Sequence, residues 1–166
     1  NESMLAYRNS VSAAQLSTEV EQLLDDQRQQ ILILAALRDT TEGQLEKAEL
    51  LRAETAIVLI NQKIQNLGKL SQGVTELNYD LLWQSSNSLL KHWLKFYRSY
   101  NDPKFEMDIT DPLPFLETSQ RLGELERRQA FIAAQRSDII DRTIDLTDRI
   151  TVIGFFSSIF LTATLG

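Results

Sequence analysis

The sequence predicts an all-α fold: an elongated antiparallel bundle of three to four long helices, the last of which continues into an apolar membrane segment. Apolar residues recur at intervals of three and four over most of the 166 residues, the period of a helix with one buried face. Only 6 Gly and 3 Pro occur, so the turn signals that separate the short strands of a sandwich or barrel are lacking. The last stretch, from residue 150 to 166, contains no charged residue.

The composition fits one folded domain and excludes several classes of function. A chain of 166 residues, 43% of them hydrophobic, is long enough for a substantial core. The net charge of −6 comes without a cluster of Lys and Arg, so nucleic acid is not expected as a partner. The chain has no cysteine, and therefore neither a disulfide framework nor a reactive thiolate.

The first two helices are predicted over residues 3–37 and 42–99. Thr41 and Gln44 have the spacing of a capping box, which favours a helix start near Glu42. In the second helix the apolar positions keep their phase through Gly68 and Gly73, so we expect one continuous helix there. The alternative is two helices hinged at 68–73, because each glycine costs a helix interior about 1 kcal/mol.

The last helix is predicted to begin after a loop at 100–114, YNDPKFEMDITDPLP. A residue before proline is disfavoured in the helical region, so Asp111 is a suitable N-cap and Pro112 a suitable first residue. The helix should then run antiparallel to its predecessor, over 112–149 in water. One stripe repeats every seven residues along it, the pattern through which we expect the chain to form a homo-oligomer. Its members are Leu125, Ile132, Ile139, Leu146 and Ile153.

Residues 150–166, ITVIGFFSSIFLTATLG, are interpreted as the start of a transmembrane helix. Their 17 uncharged residues reach the lower end of the roughly 17–25 needed to cross a bilayer, so we expect a truncated segment and a longer parent protein. A core helix is the alternative, but large apolar side chains surround this one, and a small bundle cannot easily bury every face. The residues that we assign to the lipid are Ile150, Val152, Ile153, Phe155, Phe156, Ile159, Phe160 and Leu161.

The charges near this segment give a weak indication of its orientation in the membrane. Arg136, Arg142 and Arg149 are the basic residues before it, and four aspartates outnumber them, which places residues 1–149 outside the cytoplasm. The aspartates share one helical face, typical of a divalent-cation surface, of an acidic collar above the membrane, or of a solvated stripe. We favour the stripe, because two of them stand four residues before an arginine, the spacing of surface ion pairs. They are Asp138, Asp141, Asp145 and Asp148.

No residue set in the sequence indicates catalysis, a metal or a cofactor. His92 is the only histidine, and the residue three before it is Leu89, so the paired Glu-x-x-His motifs of a di-iron bundle are excluded. No phosphate-binding loop or Cys/His metal set is present. We therefore expect a protein that is not an enzyme.

A group of aromatic residues is the densest side-chain feature. A partner or ligand surface is one interpretation, an interfacial belt at the membrane is a second, and a bundle end packed with large rings is a third, which we favour. The sequence identifies no ligand. The residues that we assign to this possible surface are Trp83, Trp93, Phe96, Tyr97 and Tyr100.

The order of helix, long helix, returning helix and membrane segment resembles the helical ectodomains of bacterial chemoreceptors and sensor kinases. This resemblance implies a non-enzymatic, membrane-anchored sensory or signal-coupling domain. The segment RITVIGFFSSIFL also resembles the stalk-to-pore helix of CorA-type magnesium transporters, which implies an ion-channel or transporter stalk. That family's Gly-Met-Asn signature would lie beyond Gly166, and the proline usual in its pore helix is missing. An α-helical pore-forming protein is the remaining alternative.

Overall fold

The protein is an up-down-up-down bundle of four helices: α1 Glu2–Arg38, α2 Lys47–Leu70, α3 Glu76–Arg98 and α4 Leu113–Leu165. This computed structural model describes residues 2–40 and 43–165, and the side chains of these residues other than Asp148 and 150–165. Within that part no strand occurs, and the prediction of an all-α bundle is confirmed. The helices form a ring in which α1 and α3 each pack against both α2 and α4.

The bundle core follows from heptad spacing in the helices. In α1 the buried positions recur alternately three and four residues apart, so they form one face along the whole helix. Burying a Leu or Ile side chain stabilises the fold by about 1.5–3 kcal/mol. The buried residues of α1 are Ser10, Ala13, Ser17, Val20, Leu24, Gln27, Ile31 and Leu34.

The core also contains polar side chains from α1, α3, α4 and the α2–α3 turn. Some form hydrogen bonds within their own helix. Ser17 Oγ donates to the Ala13 carbonyl at 2.8 Å, and Thr118 Oγ1 donates to the Pro114 carbonyl at 2.9 Å. Others link helices, as when Gln27 on α1 donates to the Tyr97 hydroxyl on α3. The buried polar residues are Ser10, Ser17, Gln27, Ser71, Thr75, Ser86, Thr118 and Gln129.

The continuous helix expected over 42–99 is wrong, because the chain reverses between Leu70 and Glu76. Gly73 adopts a φ of 77°, which few other residues tolerate, and its N–H donates to Glu76 Oε1 at 2.7 Å. Gly68 lets the returning helix approach closely, since a Cβ there would lie 2.5 Å from the Tyr79 ring. The hinge alternative at 68–73 overlaps the observed break at 71–75.

The second helix also starts later than expected, at Lys47 instead of near Glu42. Leu45 precedes it in a non-helical segment that Asn101 holds from the far loop: the Asn101 amide donates to the Leu45 carbonyl at 2.9 Å, and its oxygen accepts the Leu45 N–H at 3.1 Å. The predicted cap residue Thr41 lies outside the described residues.

The loop at 99–112 closes the end of the bundle where α1 finishes. Arg38 holds it by donating to the carbonyls of Tyr100 at 3.0 Å, Asp102 at 2.7 Å and Phe105. Asp111 Oδ1 accepts the Leu113 N–H at 3.1 Å where α4 begins, the kind of contact expected of a capping side chain.

Candidate functional site

α4 extends far beyond the bundle that it helps to form. The α2–α3 turn lies beside Gln129, whose Nε2 donates to Thr75 Oγ1 at 2.5 Å. Among the described side chains, Ala133 is the last buried residue of α4, at 8% exposure. The helix continues to Leu165, about 48 Å further at 1.5 Å per residue.

The first turns of α1 accompany α4 at this end. Thr18 Oγ1 on α1 donates to Glu126 Oε1 at 2.9 Å, and Arg136 Nη1 on α4 donates to Ser10 Oγ at 3.3 Å. Because these contacts run in opposite order along the two helices, α1 and α4 are antiparallel, and residues before Ser10 lie beside α4 past the α2–α3 turn. Both helices therefore project together from one end.

The α1–α4 interface near the projecting end contains small residues and a pair of acidic side chains. Its α1 face near this end consists of small residues, with Ser10, Ala13 and Ser17 buried. Partial burial raises the pKa of the Glu21 carboxyl, and the nearby Glu126 carboxylate raises it further. The small side chains of α1 allow α4 to pack closely against this face, and the Glu126 carboxylate lies near that of Glu21.

The heptad stripe of α4 passes from the core to the surface. Leu125 is fully buried and Ile132 is half-buried. Ile139 and Leu146 are 58% and 59% exposed, although they occupy the same face of the helix. The side chain of Ile153 lies outside the described residues. The heptad stripe that is buried inside the bundle therefore continues beyond it on the exposed surface of α4.

The predicted membrane segment coincides with the end of this projection. The backbone is helical through Leu165, while the side chains from Ile150 onward lie outside the description. In the part of the chain that was described, no helix is both long enough and apolar enough to cross a membrane. The assignment of residues 150–166 to lipid stays a prediction.

The acidic stripe on the projecting helix forms the expected ion pairs. Arg142 Nη2 lies 3.1 Å from Asp138 Oδ2, and Arg149 Nη2 lies 3.3 Å from Asp145 Oδ2. All four side chains are mostly exposed, so each pair contributes only a few tenths of a kcal/mol. Among the described residues, no three His, Cys, Asp or Glu side chains converge on a point that could hold a metal ion.

The aromatic residues lie at the opposite end from the projection, apart from Trp83, which is half-buried with its ring centroid 6.4 Å from that of Tyr79. Trp93 is buried and stacks on Phe115 with ring centroids 6.3 Å apart. Trp93 also lines a cavity at this end of the bundle.

The remaining rings form one packed group. Phe96 contacts Tyr97 and Tyr100 edge-on, at centroid distances of 5.7 and 5.6 Å. The Tyr100 hydroxyl donates to the Leu34 carbonyl at 3.0 Å, and burial raises the pKa of Tyr97 to about 12. These three residues are buried in the core, and a ligand or partner role for them stays a prediction.

Comparison of the chain with protein-family models, with curated proteins and with solved structures finds no match. The proposal for its function therefore depends on its own geometry.

Proposed function

We propose that this chain is the extracytoplasmic part of a membrane-anchored receptor, a non-enzymatic helical bundle that couples an event in the bundle to the bilayer through α4. The observation that carries the proposal is the continuity of α4. One helix begins inside the bundle core at Phe115, leaves the bundle after Ala133 and reaches the uncharged stretch that starts at Ile150.

The α1–α4 interface supports a coupling role. A helix whose packing partner presents small and polar residues can shift along its axis without opening large cavities. Small helix displacements of about 1–2 Å are a known means of passing a signal between distant sites. Because α4 is continuous, such a shift near Gln129 moves residues 150–165 by the same amount.

The exposed part of the heptad stripe supports association with a second copy. Ile139 and Leu146 form an exposed apolar seam on the part of α4 beyond the bundle, and seams of this spacing pair in coiled coils. The same two residues from another chain would cover it. In this arrangement, the receptor is a homo-oligomer held beside the membrane.

The membrane part of the proposal is tested with single spin labels in vesicles. The chain has no cysteine, so a cysteine placed at successive sites from 150 to 165 can be labelled selectively. We expect collisions with oxygen to exceed collisions with a water-soluble nickel complex at these sites, and the reverse at the control site Ile144, which is 55% exposed. Uniformly aqueous signals from 150 to 165 would contradict the anchor.

A charge-insertion variant gives an independent readout by vesicle flotation. Phe155→Asp with Phe156→Asp should abolish flotation, because an aspartate at the centre of a membrane helix costs about 2.5–3.5 kcal/mol. The matched control is Phe131→Asp, since Phe131 is already 54% exposed on the bundle part of α4. Flotation of the doubly charged variant at the wild-type level would refute the proposal.

Disulfide cross-linking tests the oligomer. Ile139→Cys and Leu146→Cys should form dimers under mild oxidation. Ile144→Cys should not, because it is equally exposed but about 140° around the helix from Ile139 at 3.6 residues per turn. Equal cross-linking at all three positions would show random collision instead of a seam.

A further inference from the structure

A cavity of about 140 Å³ lies at the loop end of the bundle, between α1, α3, the start of α4 and the loop at 99–112. Its inner wall is apolar, and its polar lining carries charges of both signs. An apolar protein cavity of about 150 Å³ holds a molecule of the size of benzene, so this space suits a ligand of that size. The apolar wall includes Ile31, Leu89, Trp93, Ile109 and Phe115.

Arg28 supplies the positive side of the cavity. Its guanidinium carbon lies 4.6 Å from the centroid of the Phe115 ring, within the distance of a cation–π contact. Within the described residues, the side chain of Arg28 makes no hydrogen bond and no ion pair. A planar guanidinium has five N–H donors arranged to receive a carboxylate through two parallel hydrogen bonds. Arg28 is half-buried, so water screens such a contact less than it does at the surface.

Asp108 and Asp111 supply the negative side, at the exposed rim. Asp108 Oδ1 accepts the N–H of Thr110 at 3.3 Å and its hydroxyl at 3.0 Å, while Asp111 Oδ1 accepts the Leu113 N–H at 3.1 Å. These bonds orient both carboxylates and use one oxygen of each. The second oxygens remain able to accept from a ligand, and no described cation lies within ion-pair distance of either group.

We propose that this cavity binds a small free amino acid with an apolar side chain. Its carboxylate lies on the guanidinium of Arg28, its ammonium lies at the carboxylates of Asp108 and Asp111, and its side chain packs on Trp93 and Ile109. A simple carboxylic acid meets uncompensated negative charge at the rim, and a simple amine meets the positive charge of Arg28. Only a molecule with both charges satisfies both sides of the cavity.

The proposal supplies a ligand for the receptor proposed above and rests on that function only for its biological consequence. Titration calorimetry on residues 1–166 with glycine, L-alanine, L-valine and L-isoleucine tests binding itself, whether or not the chain inserts in a membrane. We expect saturable binding of at least one of them, with L-valine preferred to isobutylamine and to 3-methylbutanoate, its analogues without the carboxylate and without the ammonium. No binding of any of the four amino acids would overturn the proposal, and so would equal affinity for the analogue acid.

Substitutions locate the site. Arg28→Gln should weaken binding at least about tenfold, since a hydrogen bond to a charged group is worth about 1.5–3 kcal/mol. The matched control is Arg128→Gln, because Arg128 also stacks on a phenylalanine, at 5.9 Å from the Phe131 centroid, but stands outside the cavity.

A second variant keeps the test valid if Arg28→Gln does not fold. Asp108→Asn with Asp111→Asn removes the negative rim while asparagine still accepts the backbone N–H bonds that order the loop. This variant should lose the preference for L-valine over 3-methylbutanoate. Unchanged binding in both variants would show that the ligand lies elsewhere.

Discussion

The buried contact between Thr75 and Gln129 ties the α2–α3 turn to α4 at the point where α4 leaves the bundle. Gln129 Nε2 donates to Thr75 Oγ1 at 2.5 Å, and neither side chain is exposed by more than 2%. Gln129 Oε1 has no partner among the described residues. In Thr75→Val the shape is kept but the acceptor is lost, so the whole amide of Gln129 is buried without a hydrogen bond.

The expected cost is that of an unsatisfied buried polar group, about 1–3 kcal/mol. For a domain of this size it corresponds to a fall in Tm of about 2–12 °C. No helix cap is lost with it, because the Thr75 side chain makes no capping hydrogen bond to α3. The double variant Thr75→Val with Gln129→Leu removes both polar groups and should recover most of the stability, since an apolar pair of similar shape replaces them.

Thermal and urea unfolding of the single and double variants, followed by circular dichroism, measures this cycle. Thr55→Val is the control, because Thr55 is exposed on α2 and its hydroxyl bonds only the Leu51 carbonyl, at 2.8 Å. Its free energy of unfolding should stay within about 0.5 kcal/mol of the wild type. The reasoning fails if Thr75→Val is as stable as the wild type, or if the double variant is no more stable than Thr75→Val.

Three further predictions concern stability. Gly73→Ala should destabilise the fold by about 1–2 kcal/mol, because Gly73 has a φ of 77°. Gly123→Ala should stabilise it by up to about 1 kcal/mol in the same unfolding assay, because Gly123 lies inside α4 beside a flexible arginine side chain. Burial raises the pKa of Tyr97 to about 12, above its ordinary value near 10, so the folded state holds this proton more tightly than the unfolded chain. The stability that this proton contributes is complete below pH 10 and is lost as the pH rises towards 12. Between pH 9 and 12 the free energy of unfolding should therefore fall less in Tyr97→Phe than in the wild type, by on the order of 2 kcal/mol. Parallel pH profiles of the two proteins would refute this. Asp138→Asn should change the free energy of unfolding by less than about 0.5 kcal/mol, because its ion pair with an arginine is exposed, and a larger loss would indicate a structural role for the pair.

The helices and the core face were readable from the sequence, since both follow from a local period. Val20, Leu24 and Ile31 recur at helical spacing in the sequence, and the structure buries all three. The phase of the apolar pattern did not reveal the reversal near Gly73. Both α2 and α3 face the same core, and the turn between them keeps the apolar positions in phase. Gly73 and Ser71 are residue types common in turns, but only the packing of α3 onto α2 shows that the chain reverses there.

No local sequence pattern predicts which side chains from different helices and loops lie next to each other. Arg28 reads in the sequence as one more charge on an amphipathic helix, about eighty positions before Asp108 and Asp111. Only the docking of the loop against α1 and α3 brings these residues to one cavity. The aromatic residues illustrate the same limit, because spacing showed a cluster without showing that most of its rings point inward.

The α4 stripe has a geometric consequence for anything that binds its uncovered part. In a straight helix a strict seven-residue repeat drifts by about 20° per heptad, so Leu125 and Leu146 stay in line only if the helix winds into a left-handed supercoil. Whatever pairs with Ile139 and Leu146 therefore sets the local winding of the projection, and a stiff rod carries that twist back to Leu125. If a second helix pairs with Ile139 and Leu146 as proposed, the change in helix winding would therefore alter side-chain packing at Leu125.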